Sequence, residues 1–379
     1  MNILICPDSF KECMDATDVA WYIQKGISKL SPEESFKILP MADGGEGTVR
    51  AMVDATGGRI ESTMVHDPLM KRIDAQYGIL GDGKTAVVEM AAASGLGLIK
   101  NGDRNPLYTT TYGTGELIKA ALDKGCTSII LGIGGSATVD GGVGMVRALG
   151  GSFQDKAGLE IPEGGGDLDK LVKIDLNGLD RRLHHCRIIA ACDVTNPLTG
   201  PNGAAFVYGP QKGATPEVVA RLDANLKHLA SIIRHALHVQ VEQLSGGGAA
   251  GGLGAGIVAF LNGSLKPGFE LISHVVHLKK WIRWADLIIT GEGKMDSQTS
   301  FGKTPAGVAG LAKESNKPVI AVTGSVDGEA AQFEQIGLNI VLPIADKPMT
   351  AAQSIKEAGR LLENTAERMM SLIRLAKQI

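Results

Sequence analysis

Both ends of this chain alternate short apolar runs with helix-like stretches, and no other feature constrains its fold as strongly. Residues 2–6 (Asn-Ile-Leu-Ile-Cys) read as a buried strand. A helical pattern follows over 17–30, then a strand over 36–39 and a helix over 47–55. The same rhythm returns near the other end. Strands over 286–290, 318–322 and 339–342 are interleaved with helices over 305–313 and 330–335, and a long helix covers 351–377. Strands that alternate with helices build a parallel sheet covered on both faces. The middle reads differently. Residues 73–79 and 85–90 are strand-like and are separated by Leu80-Gly-Asp-Gly-Lys84, a hairpin pattern. Helices over 116–124, 143–149 and 216–237 and strands over 128–133 and 187–192 complete it.

The ends together supply five strands, enough for one flavodoxin-like, doubly wound domain. The expected organisation is therefore discontinuous: residues 1–62 and 275–379 form this α/β domain, and 63–274 form a second, mixed α/β domain inserted into it. Composition sharpens the reading in two places. Fifty of 379 residues are glycine, nearly twice the usual ≈ 7%, and they cluster at the ends of apolar runs, where a backbone turns or approaches a ligand. The formal net charge of −3 gives no electrostatic footprint for nucleic acid or an anionic membrane. The five cysteines form no CxxC pair and are expected to be reduced thiols of a cytoplasmic protein. The N-terminus lacks a basic n-region and reads as no signal peptide. The longest apolar stretch, 251–261, is too short and glycine-rich to span a bilayer.

Two short motifs invite misreading. Gly78-Ile-Leu-Gly-Asp-Gly-Lys84-Thr85 satisfies the phosphate-loop pattern GxxxxGK[ST]. That loop works only where a strand feeds it and a helix N-terminus follows. Here Ala86-Val-Val-Glu-Met90 follows, which is strand-like, so Lys84 is expected in a hairpin turn. Gly132-Ile-Gly134-Gly-Ser-Ala137 matches the dinucleotide fingerprint, with Asp155 at a suitable distance, and keeps a nicotinamide-dependent dehydrogenase as a rival. Asp140-Gly-Gly142 interrupts the helix that this fingerprint requires.

In open α/β sheets ligands bind beyond the carboxyl ends of the strands, near the switch point. The segments expected there are 7–11, 42–48, 291–297 and 323–325, with 134–138, 192–197 and 209–213 in the inserted domain. They collect carboxylates, lysines, hydroxyls and glycines. Phosphoryl transfer needs this inventory: backbone N–H groups for phosphate oxygens, lysines against charge, and carboxylates for Mg²⁺ or for the proton of the attacking hydroxyl. No spacing among the eight histidines makes a metal triad.

At this point the chain resembles the bacterial glycerate kinases of the glycerate 2-kinase class over essentially its whole length. The resemblance is carried by Pro7-Asp-Ser-Phe-Lys-Glu12, Ala42-Asp-Gly-Gly-Glu-Gly-Thr48, Glu89-Met-Ala-Ala-Ala-Ser-Gly-Leu96 and Gly113-Thr-Gly-Glu116. It continues through Gly134-Gly-Ser-Ala-Thr138 with Asp140-Gly-Gly142, Ala191-Cys-Asp-Val-Thr-Asn-Pro-Leu198, Gly209-Pro-Gln-Lys-Gly-Ala214, and Thr290-Gly-Glu-Gly293 leading to Asp296-Ser-Gln298. Val139 departs from the pattern, standing where a polar Asn is expected. The resemblance implies ATP-dependent phosphorylation of glycerate to 2-phosphoglycerate, with 3-phosphoglycerate or another small hydroxy acid as the alternative. It also implies a site in the cleft between the two domains.

Within that frame ATP phosphates are expected against Gly134, Gly135, Ser136, Thr138, Gly293 and Ser297. Mg²⁺ is expected on carboxylates among Asp43, Glu292 and Asp296. Glycerate is expected near Asp8, Ser9, Lys11, Thr195 and Asn196, with its carboxylate meeting Lys11, Lys212 or a helix N-terminus. Asp193, between a strand and a Thr-Asn-Pro turn, is the expected group that orients or deprotonates the hydroxyl; Asp8 and Lys11 complete the catalytic set. The expected partner is the small-molecule substrate alone, and the oligomeric state is left open.

Overall fold

The computed structural model describes residues 1–296 and 304–378 of the chain. It divides into two compact units, one of Met1–Asp43, Arg50–Gly57 and Phe269–Ile379, the other of Gly44–Val49 and Gly58–Gly268. The first is built on a five-stranded sheet in the order Ile340–Pro343, Val319–Val326, Leu287–Met295, Asn2–Ile5, Ser35–Ile38. All its pairings are parallel. This is the doubly wound order expected from the sequence, with the switch point between the strands Asn2–Ile5 and Leu287–Met295. Ile3, Ile5, Ile289, Ile320 and Val322 form the sheet side of the core. Val19, Ile23, Leu361 and Leu362 cover them from the helices Ala16–Ser28 and Ala351–Ala376. Both helices begin on side-chain caps. Asp15 accepts the Asp18 N–H, and Thr350 with Gln353 makes a reciprocal capping box.

Two expectations are corrected here. Residues 291–297 and 323–325 were expected to be loops, because glycine followed each apolar run. Instead the strand Leu287–Met295 continues through Gly291-Glu-Gly-Lys-Met295, pairing Glu292 with Thr323 and Lys294 with Ser325. The glycines serve close backbone approach rather than a turn. A Cβ on Gly291 would lie 2.1 Å from the Val322 carbonyl oxygen, and one on Gly324 2.5 Å from that of Gly293.

The second unit contains a six-stranded sheet in the order Ser264–Lys266, Arg187–Ala191, Ser128–Gly132, Thr85–Glu89, Arg72–Ile79, Arg59–His66. The first four strands are parallel and the last two antiparallel. Arg59–His66 lies wholly in this unit. Most of its residues, RIESTMVH, are exposed or only partly buried, as suits an edge strand with a solvated face. Ser152–Gln154 pairs with Lys173–Asp175 as a separate two-stranded ribbon.

Neither decoy motif has the geometry its chemistry requires. Residues 80–84 are the hairpin turn, and the Asp82 carboxylate accepts the N–H groups of Lys84 and Thr85 at 2.8 Å each. After Ser128–Gly132 the next helix begins only at Val143, and the Asp155 carboxylate accepts the N–H groups of Ala157 and Leu159 in a turn.

Gly26 shows how tightly the first unit is assembled. It lies inside the helix Ala16–Ser28, where alanine is ordinarily favoured over glycine by about 1 kcal/mol. Here an added Cβ would lie 2.2 Å from the Glu363 carbonyl oxygen on the helix Ala351–Ala376. Overpacking of this kind costs about 1–3 kcal/mol. Gly26→Ala should therefore lower the urea midpoint; a raised midpoint would show that the two helices can part without cost.

Candidate active site

The switch point of the first unit is marked by Asp8. Beyond the strand Asn2–Ile5 the chain keeps pairing with its neighbour: the Cys6 N–H donates to the Ile289 carbonyl and the Asp8 N–H to that of Gly291, both at 2.8 Å. This holds the Asp8 side chain at the end of the sheet with 8% of its surface exposed. Its Oδ1 accepts the Ser9 N–H at 2.7 Å, and its Oδ2 accepts the Thr304 hydroxyl at 2.7 Å. Burial, with the nearby Asp43 charge second, pushes its carboxyl up to about 6 against the pull of those hydrogen bonds.

Lys11 is presented on a tight turn. Phe10 and Met14 exchange backbone hydrogen bonds, and Glu12 at the tip has φ of 61°. The Lys11 ammonium lies 3.6 Å from Asp43 Oδ2 while its side chain is 76% exposed, so the pair is weak and the lysine is free to swing. Asp8, Ser9, Lys11, Asp43, Glu292 and Gly293 line one cavity of about 550 Å³. The rest of its lining is mixed: Ile344, Met349, Ile355 and Ala358 give it an apolar patch, and Lys294, Ser325, Thr350 and Ser354 add polar groups. Asp296 pairs with Lys294 at 3.4 Å. Ser297 lies outside the described residues.

The second unit gathers a different set. In the segment after Ser128–Gly132, Gly134 and Gly135 are exposed while Ser136 and Thr138 are buried. Gly45 lies against Gly134. Lys212, on a short 3₁₀ turn Pro210–Lys212, is 1% exposed. Its ammonium donates to Ser136 Oγ and to the Thr138 carbonyl, both at 2.7 Å. Burial pushes the amine down to about 7, and the Asp140 charge opposes that. Asp140 is wholly buried and accepts four hydrogen bonds, from the Thr111 N–H and hydroxyl and from the N–H groups of Gly142 and Gly144. Thr138 Oγ1 is buried without a partner among the described residues. Val139, the departure from the family pattern, is 0% exposed and packs in the apolar core.

The third expected cluster is more open. Asp193 is exposed and its Oδ1 accepts the Gly268 N–H at 2.7 Å. Thr195 is exposed. The Asn196 amide is used at both ends within its own region, donating to the Asn202 carbonyl at 2.8 Å and accepting from the Tyr208 hydroxyl at 2.7 Å.

Three residues in these sites had no role in the sequence reading. Thr304 opens the helix Thr304–Glu314 ahead of Pro305, a helix-start pattern that signals a cap and says nothing of a distant aspartate. Asp140 was visible only as a motif member. Glu89, noted only as the first residue of the motif 89–96, accepts the Val49 N–H at 2.7 Å, and burial raises its carboxyl. No three His, Cys, Asp or Glu side chains come together to hold a metal among the described residues.

A family model described as the glycerate kinase family matches residues 3–374. The chain is similar to the glycerate kinase of Bacillus subtilis (strain 168), 48% identical over 377 residues that cover 100% of this chain and 99% of the relative. It is 49% identical over 360 residues to the glycerate 2-kinase of Escherichia coli (strain K12), covering 95% and 93%. The crystal structure of a glycerate kinase 2 from Salmonella typhimurium LT2 matches with a TM-score of 0.92 and 48% identity over 100% of both chains.

The buried Lys212 yields a stability prediction. Its folded value of about 7 lies below the ordinary 10.5, so between those values the unfolded chain binds more protons. Stability from this residue then rises with pH across that window. The stability of the wild type relative to Lys212→Met, from urea unfolding, should therefore grow between pH 7 and pH 9. A difference that stays constant would mean the amine remains fully charged in the folded protein.

Proposed function

The chain belongs to the glycerate kinase family, and on that premise we propose that it transfers the γ-phosphoryl group of ATP to the 2-hydroxyl of D-glycerate, giving 2-phosphoglycerate. The family makes it a phosphotransferase with an alcohol acceptor that uses ATP. The similarity to a glycerate 2-kinase supports the 2-hydroxyl. The observation that carries the assignment of roles is the buried Asp8 carboxyl at the switch point, in a cavity shared with Asp43, Glu292 and Lys11.

Phosphoryl transfer asks a protein chiefly for positioning and for charge opposite the phosphates. Asp8 takes the proton of the attacking hydroxyl. A carboxyl at about 6 is mostly ionised at neutral pH and more basic than an ordinary aspartate, which suits a general base. Thr304 and the Ser9 N–H fix its orientation. Asp193, the other candidate, is exposed, and its role is better read as binding glycerate together with Thr195. Lys11, exposed and loosely held, meets the glycerate carboxylate or the transferring phosphoryl group. Lys212 acts from the interior, holding Ser136 and Thr138 in place beneath the exposed Gly134 and Gly135, which remain candidates for phosphate contact.

Mg²⁺ fits the donor set. Asp43 and Glu292 offer hard oxygen ligands on the cavity, and Mg²⁺ needs only one or two carboxylates beside phosphate oxygens; Asp296 is a further candidate. When bound it would neutralise charge on the phosphates. The five unpaired thiols support a reducing, cytoplasmic setting.

The test is ADP release with MgATP and D-glycerate, with the product identified by phosphorus NMR. Wild type should yield 2-phosphoglycerate. Asp8→Asn should lower kcat by roughly 10²–10⁴-fold, whereas Asp193→Asn should act mainly on KM for glycerate. A 3-phosphoglycerate product would reject the 2-hydroxyl, and a near-normal kcat in Asp8→Asn would reject Asp8 as the base.

A further inference from the structure

The cavity beside Asp8 is too large and too apolar on one side to serve glycerate alone. We infer that its apolar half, walled by Ile344, Met349, Ile355 and Ala358, receives the adenine ring of the nucleotide, with the phosphates running toward Asp43, Glu292 and Lys11. This deepens the kinase reading and rests on it.

Size is the first argument. About 550 Å³ falls among cavities of ~300–1,000 Å³ that enclose drug-sized ligands, and glycerate is a three-carbon acid with an oxygen on every carbon. Chemistry is the second. Glycerate has no use for an aliphatic wall, whereas a flat heteroaromatic ring gains from one by burying apolar area. The cavity offers both halves that a nucleotide requires: Asp43, Glu292, Lys11 and Lys294 for the charged end, and an aliphatic patch flanked by the hydroxyls of Thr350 and Ser354 for the ring.

The wall is also built in advance. Ala351, Ser354, Ile355 and Ala358 lie three and four residues apart on the helix Ala351–Ala376 and so share one face. The Thr350–Gln353 capping box fixes where that helix starts, which reduces the ordering cost of binding. Ile355 is left 46% exposed and Met349 partly so. Exposed apolar groups gathered in a concavity mark a binding surface. Their place beyond the carboxyl ends of the parallel strands is where doubly wound sheets take ligands. Cys13 completes this side: its thiol donates to the Ile355 carbonyl at 3.6 Å, which makes it a reporter of occupancy.

The experiment is calorimetric binding of ADP and of inorganic tripolyphosphate to wild type and to Ile355→Glu, with KM for glycerate measured beside it. Ile355 is exposed, so the change leaves the core intact. ADP affinity should fall by about tenfold or more, equivalent to about 1.4 kcal/mol, while tripolyphosphate affinity and KM for glycerate stay unchanged. In wild type, ADP should slow alkylation of Cys13, read by mass spectrometry, and tripolyphosphate should not. Undiminished ADP affinity in Ile355→Glu, or alkylation of Cys13 at the same rate with and without ADP, would overturn the assignment. So would a rise in KM for glycerate with ADP binding intact, which would give the apolar half to the acceptor. Because ADP binding is read without turnover, an enzyme that binds ADP here and leaves glycerate untouched would reject the reaction and not the nucleotide site.

Discussion

The first unit depends on keeping one carboxylate out of water at the end of a parallel sheet. A buried carboxylate is costly unless it is hydrogen-bonded, and Asp8 is bonded from two directions, by the next residue in the chain and by Thr304 from a helix almost three hundred residues away. Its backbone is fixed as well, because the ladder to the strand Leu287–Met295 continues through Cys6 and Asp8. The two ends of the chain must therefore come together before the residue has its environment. The raised carboxyl of the residue proposed as the base follows from that assembly: burial contributes most and the negative charge of Asp43 adds to it.

The second unit solves a similar problem with the opposite sign. Lys212 is buried with a hydroxyl and a carbonyl as its acceptors, and Asp140 is buried on a set of N–H and hydroxyl donors. Breaking such a set by removing one partner strands a charge in low dielectric. The glycine-rich segment 134–138 is thus held from beneath by the hydrogen bonds of the buried Lys212 amine, while its first two glycines stay exposed. Rigid support under an exposed glycine backbone is what phosphate recognition needs.

Much of this was legible in the sequence, for identifiable reasons. The βα alternation at both ends gave the parallel sheet and its order, because buried parallel strands read as continuous apolar runs. Strand-like residues after Thr85 exposed the phosphate-loop match as a hairpin. Asp8, Ser9, Lys11, Asp43, Glu292 and Gly293 were all named, and they line one cavity. What stayed hidden depended on tertiary context. The strand Leu287–Met295 outruns its apolar stretch because a neighbouring strand pairs with its glycines. Lys212 reads as a lysine between glycines that is open to the glycerate carboxylate, and nothing local signals that its ammonium is buried on Ser136 and Thr138. Thr304 can be linked to Asp8 only by the fold. The apolar wall around Ile355 is spread over residues that, taken singly, read as ordinary helix and strand positions.

The central claim is that Asp8, raised by burial and by Asp43, accepts the proton of the glycerate hydroxyl. The most direct measurement is the pH dependence of kcat/KM for glycerate in wild type and in Asp43→Asn. Only the ionised base works, so the wild-type rate should fall as the pH drops through about 6. Removing the Asp43 charge lowers the Asp8 value, so the variant's acid limb should move to lower pH even if its maximum rate is reduced. An acid limb near the ordinary aspartate value of 3.8 in wild type, or one that stays in place in Asp43→Asn, would contradict the account.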